Sequence, residues 1–527
     1  MHDFGILSDV VVTHRVVIVR ADLNVPVVYV KNNDAAANIN KKNCGAGVTV
    51  TVSDIFRISS LASTINYLSR CGAKVLICSH FGNPKIPKDY KHSSYLGLNC
   101  EPVNYGEEVK SEIEKHTLKH LLNDLSRVLG KHVLFADDCI GDPVTEVLSQ
   151  MEFGDIALLE NLRFNVGEKA NDPQFAEDLF SIADVYVNEA FSCSHRKHAS
   201  IVGAGRFARC VAGFCFEKEV SGLMKLINIQ NQNNENKKHY NKSFIPKIIA
   251  GIFGGSKVST KIDAIKSFAR ISDYLILGGG IANTFLKYND VDIGLSLFEK
   301  DCDDIVEEIY KIANDNDCQI ILPTDAVCLN DSNGSEPKAK FLYEIDRWDR
   351  ILDVGEATVS IIKQIVSNSN IIMINGTLGM YEVKPFNNGT DEIVKHIAKV
   401  TAESVANNTK AIAAVHNGNN QNSSNNQNSS NNQNSSNKRH SQQSKHNHGS
   451  QSHKHNGYAN NNDNNALNGS NNCVISVAGG GDCVACVNNV GVFDEFTLVS
   501  TGGGALMAFI TSGTLFGLQM LQKYKNI

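Results

Sequence analysis

The chain has 527 residues, which is too long for one hydrophobic core, because single cores stop growing at about 250–300 residues. Hydrophobic residues make up 42% and charged residues 20%, so most of the chain has the composition of a folded protein. The net charge of −6 argues against a general nucleic-acid binder, which would carry a basic excess. The fourteen cysteines follow no regular spacing and no apolar leader opens the chain, so we expect a reducing, cytoplasmic location.

Short runs of β-branched residues alternate with helical patterns along both halves of the chain. In the first half the predicted strands are Arg15–Val19, Lys74–Cys78, Asp155–Leu159 and Asp184–Val187, with helices at Ser59–Ser69 and Pro173–Ala183. In the second half the predicted strands are Lys247–Ile252, Tyr274–Leu277, Gln319–Leu322, Ile371–Ile374 and Val474–Val477. Continuous apolar strands between helices are typical of parallel sheets covered on both faces. We therefore predict two similar-sized α/β domains, joined by a hinge near residues 220–245.

Three polar tracts interrupt this pattern, at Lys31–Asn43, Asn228–Lys242 and Asn407–Asn472. The longest repeats Asn-Asn-Gln-Asn-Ser-Ser three times in tandem, and it has too few apolar residues to offset the entropy of ordering, so we predict a disordered insertion. Thr501–Leu521 lacks charged residues and is long enough to cross a bilayer. Because glycines interrupt it, we expect a buried loop and helix there.

Four glycine clusters follow predicted strands of the second half, at residues 254–257, 278–280, 479–482 and 502–504. Glycine lets backbone N–H groups approach phosphate oxygens, and a helix N-terminus behind the turn favours an anion. No cluster is a P-loop or a dinucleotide fingerprint, and each alone is also compatible with a simple turn. Four clusters at strand ends of one domain favour a nucleotide site.

Charged residues accompany these clusters. Asp482 follows three glycines and suits Mg²⁺, which prefers one or two carboxylates together with phosphate oxygens, although a helix N-cap is the alternative. Lys257 and Lys261 are four residues apart, so on a helix they would share one face and point at the glycines. A pair of solvated surface lysines is the alternative interpretation.

The first half carries a different set of polar residues after its predicted strands. They are Asp22, Asn24, Arg57, His80, Arg163, His195, Arg196 and His198. Arginine matches carboxylate and phosphate groups bidentately, so arginines and histidines that converge at one sheet edge would bind a small anion. Taken singly, each of these residues is equally compatible with a surface or structural role.

Five motifs in this order make the chain similar to phosphoglycerate kinases, from Arg15 to about Lys523 apart from the polar tracts. They are Val-Arg-Ala-Asp-Leu-Asn-Val-Pro (19–26), Leu-Leu-Glu-Asn-Leu-Arg-Phe (158–164), Gly-Gly-Ser-Lys-Val-Ser-Thr-Lys-Ile (254–262), Gly-Gly-Gly-Ile-Ala-Asn-Thr-Phe (278–285) and Ser-Thr-Gly-Gly-Gly-Ala (500–505). The resemblance implies two Rossmann-like domains and reversible phosphoryl transfer between ATP and 3-phosphoglycerate, in glycolysis and gluconeogenesis. It also implies a monomer with Mg²⁺, and no nucleic-acid or membrane partner.

The resemblance also implies a role for each part of the chain. Residues 1–222 would bind 3-phosphoglycerate, residues 223–509 would bind the nucleotide, and residues 510–527 would return to the first domain. The implied substrate-binding residues are Asp22, Asn24, Arg57, His80, Gly82, Asn83, Arg163 and Arg196. The implied nucleotide-binding residues are Gly255, Ser256, Lys257, Lys261, Gly279, Gly280, Asn375, Glu382, Gly480, Gly481, Asp482 and Cys483, with Asp482 as the metal ligand. The implied catalytic residues are Arg57, Lys257, Lys261, Gly480 and Gly503.

Several positions depart from the family pattern. Asn83 stands where the motif has arginine, Cys483 where it has threonine or serine, Thr377 where it has proline, and Leu498 where it has histidine. Ser192-Cys193-Ser194 replaces Gly-Thr-Ala, and Glu189 replaces aspartate. We expect these changes to reduce activity without abolishing it. The alternative function is a protein that binds the ligands without turnover and acts as a scaffold through its Asn-rich tract.

Cys483 and Cys486 form a Cys-x-x-Cys pair at a predicted helix N-terminus. A helix N-terminus favours a thiolate, so redox sensitivity is one hypothesis, and two inert small residues are the alternative.

Overall fold

The computed structural model describes residues 3–31, 48–52, 55–87, 106–224, 247–332, 336–425 and 473–525. The tract Asn228–Lys242 and most of the expected hinge lie outside these residues, as does most of the tract Lys31–Asn43.

A six-stranded parallel sheet forms the centre of the first half. Its strands are β1 (Val16–Arg20), β4 (Lys74–Cys78), β5 (Val133–Ala136), β6 (Ile156–Leu159), β7 (Val185–Asn188) and β8 (Arg209–Ala212), in the order β5-β6-β4-β1-β7-β8. A separate antiparallel pair joins β2 (Val27–Lys31) to β3 (Val48–Val52). Residues 17–19 of the central strand β1 are fully buried, as expected for a strand covered on both faces.

Helices cover both faces of this sheet, and their apolar side chains pack with those of the strands in two separate hydrophobic clusters. They are α1 (Phe56–Arg70), α2 (Glu107–His116), α3 (Leu122–Leu129), α4 (Asp142–Gln150), α5 (Val166–Ala170), α6 (Pro173–Phe180), α7 (Ala199–Val202) and α8 (residues 214–224). Helix α6 begins as its sequence predicts, because Asp172 accepts hydrogen bonds from the N–H groups of Gln174 and Phe175 while Pro173 occupies the first turn.

The second half repeats the arrangement with a sheet in the order β11-β10-β9-β15-β16-β17, again parallel throughout. The strands are β9 (Ile249–Phe253), β10 (Tyr274–Leu277), β11 (Gln319–Ile321), β15 (Ile371–Asn375), β16 (Ile475–Gly479) and β17 (Leu498–Ser500). A small antiparallel sheet, β13-β12-β14, lies beside it and consists of β12 (Asp325–Asn330), β13 (Lys338–Phe341) and β14 (Asp349–Val354). The predicted fold class, two parallel α/β sheets covered by helices, is therefore confirmed, and the antiparallel sheet is an addition to it.

The helices of the second half are α9 (Ile262–Ile271), α10 (Gly279–Tyr288), α11 (Asp303–Asp315), α12 (Glu356–Asn368), α13 (Asn388–Asn425), α14 (Gly481–Val490), α15 (Gly503–Ser512) and α16 (Phe516–Lys523). Helix α13 continues past Asn407, where we predicted that the disordered insertion begins. The predicted start was wrong, because the backbone is helical up to Asn425. The alanines of Ala411–Ala414 explain the difference, because alanine has the strongest intrinsic helix propensity. The insertion residues after Asn425, up to Asn472, lie outside the described residues.

Aromatic and aliphatic side chains join the two halves in one cluster. Phe191 of the first half packs on Phe216 and on Phe509 of α15, with ring centroids 5.9 and 6.4 Å apart. Helix α16 packs against α7 and β8, and its Gly517 N–H donates to the carbonyl of Ser194 over 3.0 Å. The end of the chain therefore lies on the first half.

The apolar segment Thr501–Leu521 forms α15 and α16, and its large apolar side chains, such as Phe509 and Leu518, are buried in this cluster. Within the described ranges, no single helix is long and apolar enough to cross a membrane. By length and composition α15 and α16 pass that test only as a pair, which is bent by 64°.

Candidate active site

A cavity of about 1050 Å³ opens where the carboxyl ends of β15 and β16 meet the first half. Its wall contains residues of α9, the first turns of α14 and α15, residues of α16, and His195 from the first half. Parallel strands collect their loops at one edge, so this is where an α/β sheet is expected to bind a ligand.

Two helix N-termini point into the cavity. Gly480, Gly481 and Asp482 open α14, and Gly503 and Gly504 open α15. Gly480 has a φ of +92°, which a residue with a side chain rarely adopts, and a Cβ on Gly503 would lie 3.1 Å from the Cα of Gly480. The two glycine turns therefore pack together. The N–H of Gly480 donates to the carbonyl of Ser500 over 3.1 Å, whereas the following N–H groups of each first turn have no acceptor within their own helix, an arrangement that suits phosphate.

Lys261 lines the same cavity. Its Nζ donates to the carbonyls of Gly254 and Asn375, over 2.7 and 2.8 Å, and burial lowers the pKa of this lysine. Asp482 is exposed in the first turn of α14 and forms no ion pair with any described residue. The cavity wall thus contains the fixed ammonium group of Lys261 and the carboxylate of Asp482, which is available to hold a metal ion.

Lys257 is placed differently from Lys261. Helix α9 starts only at Ile262, because residues 258–261 form turns in which the Thr260 hydroxyl donates to the carbonyl of Lys257 over 2.8 Å. The prediction that Lys257 and Lys261 share a helical face was therefore wrong. Lys257 is exposed outside the cavity wall, near Glu299, and among the described residues it forms no ion pair.

The glycines of the other two clusters, at residues 254–257 and 278–280, let two loops pack closely against each other. A Cβ on Gly279 would lie 2.9 Å from the carbonyl oxygen of Gly255, and a Cβ on Gly280 would lie 2.4 Å from that of Ser256. The N–H of Ile281 donates to the carbonyl of Gly255 over 3.1 Å. None of these five residues lines the cavity, so here glycine serves the close approach of two turns.

Three further predicted nucleotide residues differ in their exposure. Asn375 is buried at the end of β15 and lines the cavity. Cys483 is fully buried, and its thiol donates to the carbonyl of Ile374 over 3.6 Å. Glu382 is exposed on the turns after β15 and does not line the cavity.

Arg57 and Asp22 form an ion pair at the junction of the two halves. The Nη1 of Arg57 lies 2.9 Å from Asp22 Oδ2, and it also donates to the carbonyl of Asn24 over 2.9 Å. Its Nη2 reaches the carbonyl of Thr501, in the loop before α15, over 3.5 Å. Arg57 therefore connects the two halves next to the glycine turn of α15.

The loop after β4 brings together four of the predicted substrate residues. The Asn24 side chain accepts from the N–H of Gly82 over 2.8 Å, and Arg163 donates to the Gly82 carbonyl. The next residue, Asn83, accepts a hydrogen bond from the ammonium group of Lys169. Sequence reasoning did not identify Lys169, because no motif or spacing distinguishes it from other exposed lysines.

His80 lies under this loop and is buried. Burial, with Arg20, Arg163 and Arg196 nearby, holds the pKa of His80 well below its usual value, so the ring is neutral at pH 7. The same causes lower the pKa of His198 to about 4, so its 3.7 Å contact with Glu168 is not an ion pair at neutral pH. Arg20 is fully buried and donates to Ser200 over 2.8 Å; sequence reasoning did not single it out either.

Arg196 completes the cationic group. It is exposed, its Nε lies 3.2 Å from His195 Nε2, and its charge helps to lower the pKa values of His195, Arg163 and Lys169, in each case after burial. The predicted residues of the first half thus lie at one edge of the sheet and form a cationic surface next to the junction.

Comparisons with known proteins show the family of this chain. A sequence model of the family described as phosphoglycerate kinase matches residues 7–426 and 461–513. A phosphoglycerate kinase of Wolbachia pipientis subsp. Culex pipiens is 34% identical over 504 residues, which are 95% of this chain and 95% of that protein. The chain belongs to the phosphoglycerate kinase family. The enzyme of Brucella abortus is 31% identical over 99% of this chain and all of that protein.

The solved structure of the phosphoglycerate kinase from Coxiella burnetii shares the fold, with a TM-score of 0.64, 24% identity, and coverage of 99% of this chain and 100% of that one. The phosphoglycerate kinase family model does not match residues 427–460, which lie inside the tract that we predicted to be an insertion. This boundary agrees with the end of α13 at Asn425.

The positions that depart from the phosphoglycerate kinase pattern mostly have partners in the structure. The Ser192 hydroxyl donates to Asp22, the Thr377 hydroxyl donates to the carbonyl of Gly379 over 3.0 Å, and Leu498 is buried. Glu189 is buried and accepts from the N–H groups of Cys215 and Phe216, and burial raises its pKa. These replacements fit the core and leave the charged site residues in place.

The two cysteines of the Cys-x-x-Cys pair are buried in α14. Burial raises the pKa of Cys483 to about 11, and it also raises the pKa of Cys486. This favours the interpretation as inert residues, because the thiolate is the reactive form of cysteine.

Proposed function

We propose that this chain catalyses reversible phosphoryl transfer between ATP and 3-phosphoglycerate, giving ADP and 1,3-bisphosphoglycerate, in glycolysis and gluconeogenesis. The proposal rests on one observation above all. A cationic surface of the first half and two glycine-opened helix N-termini of the second half lie on either side of one junction, which Arg57 crosses.

In the first half, 3-phosphoglycerate is bound by Asp22, Asn24, Arg57, His80, Gly82, Asn83, Arg163 and Arg196. Neutral His80 can donate a hydrogen bond to a substrate oxygen, and the arginines supply the positive charge that a carboxylate and a phosphate need. Asp22 orients Arg57 through the ion pair.

In the second half, the nucleotide is bound by Gly255, Ser256, Lys257, Lys261, Gly279, Gly280, Asn375, Glu382, Gly480, Gly481, Asp482 and Cys483. Lys261 and the N-termini of α14 and α15 bind the phosphates; their shared position in the cavity wall supports this assignment. Lys257, Gly279, Gly280 and Glu382 belong to the part of the site outside this cavity.

The chemistry needs positioning and charge stabilisation more than it needs covalent help. A carboxylate oxygen of 3-phosphoglycerate attacks the γ-phosphorus, and the bond from that phosphorus to the β–γ bridging oxygen breaks, releasing ADP. The attacking carboxylate is already ionised, so no general base is required. Arg57, Lys257, Lys261 and the helix N-termini at Gly480 and Gly503 stabilise the charge on the transferring group.

The donor set also fits Mg²⁺. An unpaired carboxylate beside a phosphate-binding helix N-terminus is the kind of site that this ion uses, so Asp482 would hold it together with phosphate oxygens of the nucleotide. When bound, Mg²⁺ would neutralise charge on these phosphates.

The remaining proposals concern the organisation of the chain. Residues 1–222 form the substrate domain, residues 223–509 form the nucleotide domain, and residues 510–527 pack back on the first. The domains close over both ligands and exclude water, which would otherwise hydrolyse the acyl phosphate. The protein works as a cytoplasmic monomer, with small-molecule partners and without nucleic acid or membrane.

A coupled kinase assay on the purified full-length protein tests the proposed function. With ATP, Mg²⁺ and 3-phosphoglycerate we expect steady turnover that stops when any one of the three is omitted. Binding of nucleotide without turnover would instead leave the alternative of a scaffold protein that has kept the fold but lost the reaction.

A further inference from the structure

Two cations of the first half, Arg163 and Lys169, contact the loop Gly82–Asn83, and Arg196 lies close enough to lower the pKa of both, after burial. Among the described residues, Arg163, Arg196 and Lys169 form no ion pair, and the buried Nε of Arg163 has no hydrogen-bond partner. The nearby carboxylate of Glu168 faces away, since it accepts from the N–H and the hydroxyl of Ser200 over 2.9 and 2.6 Å. Such a cluster repels itself, so it suits an anionic ligand.

Lys169 and Arg163 approach this loop from one short segment of the chain. Arg163 follows β6 and donates to the carbonyl of Gly82, and Lys169 lies in the last turn of α5 and donates to the side chain of Asn83. Lys169 is an exposed residue, so its side chain is accessible to a ligand. Burial lowers the pKa of Lys169, and the charges of Arg163 and Arg196 lower it further, so the three cations share one electrostatic environment.

A metal site in the same region is the competing interpretation. Asp22, His80 and Cys193 have ligand atoms within 4.8 Å of one another. However, Nδ1 of His80 lies 3.3 Å from the guanidinium of Arg20, and Asp22 is paired with Arg57. A divalent cation would therefore enter an environment that is already strongly positive, and an anion is the favoured occupant.

We propose that Lys169 is a substrate-binding residue, which contributes a cation for the phosphate group of 3-phosphoglycerate beside Asn83. Asn83 carries no charge of its own, and its side-chain oxygen holds the Lys169 ammonium group at the edge of the cationic surface. This inference rests on the proposed function, because it takes 3-phosphoglycerate as the ligand of this surface.

Kinetics of the variant Lys169→Ala test the inference. We expect the KM for 3-phosphoglycerate to rise on the order of tenfold or more, because a hydrogen bond to a charged group is lost. The kcat and the KM for ATP should change little, since Lys169 lies away from the nucleotide cavity. Lys169→Arg should retain the wild-type KM, and adding Asn83→Arg to Lys169→Ala should restore it by replacing the missing charge.

Lys110→Ala is the matched control, because Lys110 is an exposed lysine of the same half that pairs with Glu107 on α2. Equal KM values for 3-phosphoglycerate in Lys169→Ala and Lys110→Ala would overturn the inference, and so would an increase that neither Lys169→Arg nor Asn83→Arg prevents. Calorimetric titration with 3-phosphoglycerate alone separates the two proposals. If the wild-type protein binds this ligand without turnover, the proposed function fails, and weaker binding by Lys169→Ala still supports the inference.

Discussion

Arg57 offers the sharpest test of how the two halves cooperate. Its guanidinium contacts Asp22, the carbonyl of Asn24 and the carbonyl of Thr501 in the other half. If it also stabilises the transferring phosphoryl group, Arg57→Ala should lower kcat by about 10²–10³-fold, the usual effect of losing one preorganised donor. The KM values for both substrates should rise much less, because the interaction is strongest in the transition state.

The same substitution also affects stability, and the structure lets the two effects be separated. Asp22 loses its arginine but keeps hydrogen bonds from the Ser192 hydroxyl and the Asn24 N–H, so the free energy of unfolding should fall by only about 1–3 kcal/mol. Denaturant titration measures this loss, and a coupled assay at saturating substrate measures kcat. Arg70→Ala, at the exposed other end of α1, is the control. A kcat for Arg57→Ala within threefold of this control would refute the assigned role.

Three further predictions follow from the structure. Lys257→Ala should lower kcat more than it raises KM in the coupled assay, and unchanged kcat would remove Lys257 from the catalytic residues. Burial raises the pKa of Glu219 to about 8 in the folded protein, so between about pH 5 and 8 the folded protein binds a proton that the unfolded chain does not. The free energy of unfolding should therefore fall as the pH rises through this range. Glu219→Gln should flatten this dependence in denaturant titrations, and parallel wild-type and variant curves would contradict it. Replacing residues 427–460 with a short linker should leave kcat nearly unchanged, since the family model does not match these residues and a change in the length of a connecting segment costs little free energy. A large loss of kcat would give the tract a part in folding or closure.

Much of the fold could be predicted because buried parallel strands have a strong sequence signal. Lys74–Cys78 and Tyr274–Leu277 were predicted with the bounds that the structure has, since each is a continuous apolar run. The antiparallel strands β12–β14 were not, because their sequences mix charged and apolar residues and show no continuous apolar run; β13 (Lys338–Phe341) is also largely exposed. The length of α13 was also missed, since an asparagine-rich composition hid its helix-forming alanines.

The candidate site could be predicted only where glycine or a motif marks it. The glycine turns at Gly480 and Gly503 were found because clusters at strand ends are conspicuous in the sequence. The path of the backbone at Lys257 was not predicted. The Ser259 hydroxyl donates to Glu299 and the Thr260 hydroxyl to the carbonyl of Lys257, and these bonds stabilise turns where helical spacing was assumed. Lys169 depends on a tertiary contact with a residue 86 positions away, which no local pattern reveals.

The most direct test of the account is a crystal structure of the full-length protein with 3-phosphoglycerate, Mg²⁺ and a non-hydrolysable ATP analogue bound together. The account predicts closed domains, with Arg57 from one half and Lys257 from the other contacting the γ-phosphoryl group or its analogue. A complex with both ligands in place in which either side chain points away from that group would contradict it.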